Sequence, residues 1–477
     1  MVKFSEAFEL HKAQAELDFV DVRLDTDTPL YICPYAIQIR EDEWSSKCGD
    51  NIRSYFNELL DALRREDMER ATHLLSNLHE PNETFLGESS GAPSGRAVGD
   101  IKARQLAEAI VHSRAFETGL LSDISEASLF IYGVGRDTIS DLTTNIVRGL
   151  LAEYTAAQCE LHGIPTRVVR SIGPCWNLAR RDWEAVGLHL PIYNQRPILL
   201  VPKSSVRYRL SLDSQEFYRH EMLEYLQEEY LAAGGALVQT FRTGRRYVTK
   251  KAVEQRHPYS KDALAAFVRD HPEVLQMYKE LKGAKGVLTA EELELFFDER
   301  AFAQVLFDRL GAIPSGGRTA SEYHSVAMGI CTFLFHPELM YPIKEFELHE
   351  GRKRVDIKYT NAAESGFFYA RLMSAQTRAS SIFMECKNYS EDPANNEFDQ
   401  LAQRFGHQRG RLGFLLCRTV ENRQRALERC RDTVRDDRGY MIFFDDNDLV
   451  EMLQLVGAGH RNRLDQLLTE RFEEITV

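Results

Sequence analysis

Residues 380–388 read SSIFMECKN, an apolar run that closes on an acid and a base two positions apart. Side chains alternate along a strand with a period of two. A strand here therefore puts Phe383, Glu385 and Lys387 on one face and Ile382, Met384 and Cys386 on the other. A buried sheet has little use for a Glu and a Lys side by side unless the pair does chemistry. The competing use is on an exposed edge strand, where charges discourage pairing with another chain.

The flanking sequence sets the context. ASEYHSVAMGICTFLF carries Val326, Ala327, Ile330, Phe333 and Leu334 at helical spacing, with Glu322 near its amino end. IKEFELHE and RKRVDIKYTN, joined through Glu350 and Gly351, read as a β-hairpin. In its second strand Arg354, Asp356 and Lys358 share the polar face. SGFFYARLMSA then predicts a short helix before SSIFMECKN, and NNEFDQLAQRFGHQRG a helix after it, with Phe398, Leu401, Ala402 and Phe405 as its apolar stripe. The strand RLGFLLCR, a helix through ENRQRALERCRDTV, the strand YMIFF and the helix DNDLVEMLQLV complete an α-β-β-β-α-β order with extensions.

That order, with an Asp on the hairpin and Glu-x-Lys on the next strand, resembles the PD-(D/E)XK nuclease superfamily, the restriction-endonuclease-like fold. Gln400 in FDQLAQRF is similar to the Gln of its type IV restriction-like branch, and Glu322 to the acid often found on its first helix. The resemblance covers roughly residues 318–446; Val355 stands where the motif has Pro, and 29 positions separate Asp356 from Glu385. It implies a Mg²⁺-dependent endonuclease, with Mn²⁺ as a substitute, acting on DNA in preference to RNA. Asp356, Glu385 and the Cys386 backbone carbonyl would hold the metal. Lys387 would handle the attacking water, Glu322 would support a second ion or a bound water, and Gln400 would position Lys387. A hard dication held by carboxylates offsets phosphodiester charge and acidifies bound water, which is why this chemistry needs these residue types. Arg354, Arg404, Arg409 and Arg411 are the expected phosphate contacts. The layout further resembles a bacterial restriction or anti-phage defence effector, and cutting both strands of a duplex favours a homodimer. Two alternatives stay open: a fold of this type that binds nucleic acid without cutting, and a protein whose function sits in the N-terminal region as a sensor, with RNA as substrate.

The rest of the chain bounds these expectations. Its 477 residues predict a multi-domain α/β protein: a mixed α/β region over 1–235, a helical connecting region over 236–314 ending in the linker GAIPSGGRT, and the nuclease-like domain over 315–477. The eight cysteines include no CxxC pair, which argues against a disulfide framework or a zinc ribbon; Cys159 and His162 have metal-like spacing but no second pair. No apolar run or leader pattern predicts membrane insertion or export, so a cytoplasmic protein is expected. A net charge of −13 argues against wrapping of nucleic acid by the whole molecule, yet residues 400–440 hold ten Arg and no Lys against five acids. In the N-terminal region, LYICPYAIQI, SLFIYGVG and RPILLVPKSSVRY each predict a strand. The last two, one followed by Asp137 and the other ending in Val201-Pro202-Lys203, resemble a degraded copy of the same motif. HEPNETFLGESSGAPSGRAVGD is a Gly-rich loop without a Walker ending.

Overall fold

The computed structural model describes residues 2–87, 100–170, 172–294, 296–344 and 357–476. Arg354 and Asp356, the Glu350–Gly351 connection and most of the Gly-rich loop lie outside the described residues. The protein is mixed α/β and divides into two compact units, one formed by 22–153 and 167–287, the other by 2–21, 154–166 and 288–477. The helical stretch expected over 236–314 is thus shared between the units.

The second unit is built on one five-stranded sheet. Its strands are β1 Leu339–Lys344, β2 Ile357–Asn361, β3 Ser381–Lys387, β4 Leu412–Cys417 and β5 Tyr440–Phe444, in that spatial order. β1, β2 and β3 pair antiparallel; β3, β4 and β5 pair parallel, each parallel step bridged by a helix, Asn395–Ala402 and then Arg423–Arg435. SSIFMECKN is therefore a central strand, not an edge, and is buried along nearly its whole length. Both faces are covered. On the Ile382 and Met384 side, Tyr359 Oη meets Thr332 of the helix Ala320–Phe335, and Phe414 packs edge-on against Phe335. On the other side Gly413 lets the helix Asn395–Ala402 close down: a Cβ there would sit 3.0 Å or less from Phe383 O, Phe405 and Leu401.

Two early segments complete this unit. Asp18 accepts from Tyr341 N at 3.1 Å and from Tyr154 Oη at 2.7 Å, while Gln158 Nε2 donates to Pro342 O at 2.9 Å. These bonds hold the bulge in β1 between Met340 and Ile343. Glu16, buried, takes Arg309 and Lys12 as partners against the helix Ala320–Phe335.

The first unit is helical with short two-stranded ladders rather than a sheet. The helix Glu43–Arg64 starts at Asp42, whose side chain accepts from Ser45 N, and Tyr55 on it packs edge-to-face on Trp176, itself paired with Trp183 across a hairpin. The three expected N-terminal strands are corrected here. In LYICPYAIQI only Tyr31–Ile32 is strand, because Pro34 opens the helix Pro34–Gln38. SLFIYGVG is the short helix Ala127–Phe130 and a turn, whose carbonyls at Ser128, Ile131 and Val134 are taken by the buried Lys261 ammonium. RPILLVPKSSVRY is strand only at Arg196–Pro197 and at Val206–Arg207, the latter paired with Tyr31–Ile32; between them the buried chain bonds irregularly, Ile198 N donating to Pro191 O and Leu199 N to Glu83 O, with Lys203 in a 3-10 turn. With Asp137 in the first turn of the helix Arg136–His162, no second copy of the motif forms among the described residues.

Candidate active site

β3 ends on Glu385, Cys386 and Lys387. Both charged side chains are buried, Glu385 at 2% and Lys387 at 5% exposure, and the Lys387 ammonium donates directly to Glu385 Oε1. Lys387 Nζ also lies 3.4 Å from Gln400 Oε1, on the helix that follows the strand. Placing both charges in a sheet interior removes their hydration, so each depends on the other: loss of one leaves an uncompensated buried charge.

The strand's other face is fastened to the helix Ala320–Phe335. His324 Nε2 lies 2.8 Å from the Cys386 carbonyl oxygen, so the ring donates to the same oxygen proposed from the sequence as a metal ligand. The next residue, Asn388, is buried and donates through Nδ2 to Pro314 O, Gly316 O and Thr319 Oγ1, and Gly316 N returns a bond to Asn388 O. Nearby, Tyr323 Oη donates to Asp446, whose carboxyl is pushed up to about 6 by burial, with the Arg418 guanidinium 3.2 Å away.

Of the residues singled out by sequence, Glu385, Lys387 and Gln400 come together. Asp356 is outside the described residues, but Ile357 directly after it pairs with Met384, the neighbour of Glu385. Glu322 is exposed in the first turn of its helix. The arginines divide. Arg411 is engaged by Asp437, and it precedes Leu412, which pairs with Ile382. Ile382 is five residues before Lys387, so Arg411 and the neighbouring exposed Arg409 stand at the far end of the sheet, about 16 Å away at the rise of a strand. Arg404 is half-buried in the same turn. His162 packs edge-on against Phe19 and is driven down to about 3 by burial beside buried Cys159, the arrangement of a core histidine.

Two polar residues at the site were missed. Glu397, one helical turn before Gln400, is buried at 8% exposure, and its Oε2 has no hydrogen-bond partner among the described residues. It lies close enough to Cys417, the partner of Lys387 across β4, to help raise that thiol. Asn388 Oδ1 is likewise buried without a partner among the described residues. Glu397 carried a signal, since an acid in the first turn of an amphipathic helix has both a capping and a ligating use. Glu385 and the Cys386 carbonyl offer hard oxygens, the donor type that suits Mg²⁺. Among the described residues, however, no three His, Cys, Asp or Glu side chains gather as a metal cluster.

In class, then, this is a mixed α/β protein whose second unit buries a Glu–Lys pair at the end of a central strand. Residues 9–213 match the model of a domain of unknown function, DUF8370, a stretch that ends before the sheet and the pair. No curated protein and no solved structure matches the chain.

Proposed function

We propose that the chain is a metal-dependent nuclease that hydrolyses DNA phosphodiester bonds through Glu385 and Lys387, with Asp356 as the second carboxylate. The observation that carries this reading is the buried Lys387–Glu385 pair on a central strand, approached by Gln400 from the following helix. An α-β-β-β-α-β order around that strand, with the helix Gly366–Met373 inserted before it, supports the restriction-endonuclease-like core. Bound Mg²⁺, held by Asp356, Glu385 and the Cys386 carbonyl, would supply a polarised phosphate and an acidified water. Lys387 would hold the attacking water and neutralise charge developing on the phosphate oxygens, while Gln400, 3.4 Å from its ammonium, would keep it aimed. His324 would orient the Cys386 carbonyl from the opposite side, leaving it a second lone pair. DNA as substrate, a homodimer to cut both strands, a cytoplasmic place of action and a defence role belong to the same proposal. No helix among the described residues is long and apolar enough to cross a membrane.

One observation favours a second reading. The Glu385–Lys387 pair is internally neutralised and the Cys386 carbonyl is already engaged, as a binding module that has lost cleavage would be. Plasmid DNA incubated with the protein in Mg²⁺, Mn²⁺ or EDTA separates the two: nicking that needs metal supports the nuclease, and salt-sensitive binding without nicking supports the module.

A further inference from the structure

The first unit carries a feature outside the proposed site. Residues 239–251 read QTFRTGRRYVTKK, with five basic residues and no acid in a chain of net charge −13. They form a hairpin in which Thr240 pairs with Arg246 and Gln239 with Tyr247. Its turn is set locally: Gly244 N donates to Phe241 O, Gly244 takes φ +84°, and Phe241 N returns to Arg245 O, the three-residue turn with a glycine bulge. The base is anchored, because Val248 is buried and its carbonyl accepts from Gln227 of the helix Leu223–Ala233 at 2.7 Å.

The tip is a different surface. Phe241 is 50% exposed and stacks on Tyr247 with ring centroids 4.0 Å apart and planes 24° from parallel. Arg242, Arg245 and Arg246 are exposed, and none has a carboxylate at ion-pair distance among the described residues, whereas Lys250 is committed to Glu224 at 2.6 Å. Exposed aromatic rings cost hydration and unpaired guanidinium groups repel one another. Both are relieved by a polyanion that presents flat, stackable rings. A nucleic acid meets that description: phosphates for the arginine forks, and a base on the outer face of Phe241.

We infer that the 239–247 hairpin is a nucleic-acid-binding element that grips phosphates through Arg242, Arg245 and Arg246 and stacks an unpaired base on Phe241. This contact is separate from the Glu385–Lys387 site and stands whether or not that site cleaves.

The test is fluorescence anisotropy of the full chain, in EDTA so that no metal-dependent cleavage intervenes. The probes are labelled single-stranded DNA, duplex DNA and RNA of about thirty nucleotides, titrated across salt. The hairpin tip is exposed, so R242Q/R245Q/R246Q and F241A are expected to fold, and circular dichroism checks it. The triple variant is expected to lose about ten-fold or more in affinity and to flatten the slope of log affinity against log salt by about 2, roughly 0.7–0.9 per phosphate contact. F241A is expected to weaken single-stranded binding about five-fold or more and duplex binding less. Binding is read in EDTA and does not depend on cleavage, so a failed nuclease reading leaves this result readable. Triple-variant affinity equal to wild type, no binding of any probe by wild type, or equal arginine-dependent capture of phosphatidylserine vesicles or polyglutamate would each overturn the inference. Equal weakening of single-stranded and duplex binding by F241A overturns its stacking part.

Discussion

At the residue scale the decisive fact is that Glu385 and Lys387 are both buried and each is the other's countercharge. Lys387→Ala is therefore expected to destabilise the second unit by about 3–5 kcal/mol, as broken buried pairs do. The double variant Glu385→Gln/Lys387→Met, which removes both charges at similar volume, is expected to recover most of that loss. Denaturant melts of the two variants check this, and a double variant no more stable than Lys387→Ala would show that the pair is not mutually compensating. A second residue-scale expectation concerns Asp141, raised to about 7 first by burial and then by Glu80, Asp137 and Glu83. The folded state holds its proton more tightly than the unfolded chain, so the contribution is present at low pH and is lost as pH rises toward about 7. Melting temperatures between about pH 4 and 8 should fall less steeply for Asp141→Asn than for wild type. Parallel curves would remove Asp141 as the source.

At the element scale, the strands β3, β4 and β5 and the helices between them were legible because each is a short apolar run, or an amphipathic one, bounded by polar residues. The same signal misled in SLFIYGVG and in the middle of RPILLVPKSSVRY. A buried run of five to eight apolar residues reads alike as strand, short helix or irregular chain, and what separates them is the distant partner of its backbone groups. Lys261 caps the first of these runs from 127–133 residues away. The bulge in β1 depends in the same way on Asp18, 323 positions from Tyr341. Gly329 tests such a long-range contact. It lies inside the helix Ala320–Phe335, where Ala is ordinarily better by about 1 kcal/mol. Yet a Cβ there would stand 2.6 Å from Glu16 Oε1. Gly329→Ala is accordingly expected to lower the melting temperature, and a rise would mean that the 2–21 segment does not pack as described.

At the scale of the whole molecule, the site was only partly readable. Glu-x-Lys declared itself by its place at the end of an apolar strand, and Gln400 by its helix; Glu397 showed only as an acid in a helix's first turn, and Asn388 and His324 enter through packing that no local pattern encodes. The arginines were the weakest expectation. A count of charge along 400–440 places no side chain in space, and the fold sends Arg409 and Arg411 to the end of the sheet away from Lys387. The unit boundary was hidden for a related reason, since 2–21 and 154–166 join the second unit from early in the chain. The hairpin at 239–247 shows the converse, a locally encoded turn whose use emerges only once its arginines are seen to lack partners among the described residues.

The role proposed for the buried pair on β3 is cleavage of DNA. Its most direct test is nicking of supercoiled plasmid by wild type and by Glu385→Gln/Lys387→Met, the variant expected to remain folded, in Mg²⁺ and in EDTA. Nicking is expected from wild type in Mg²⁺ alone and from the variant under neither condition. Metal-dependent nicking that survives in a folded double variant would contradict that role.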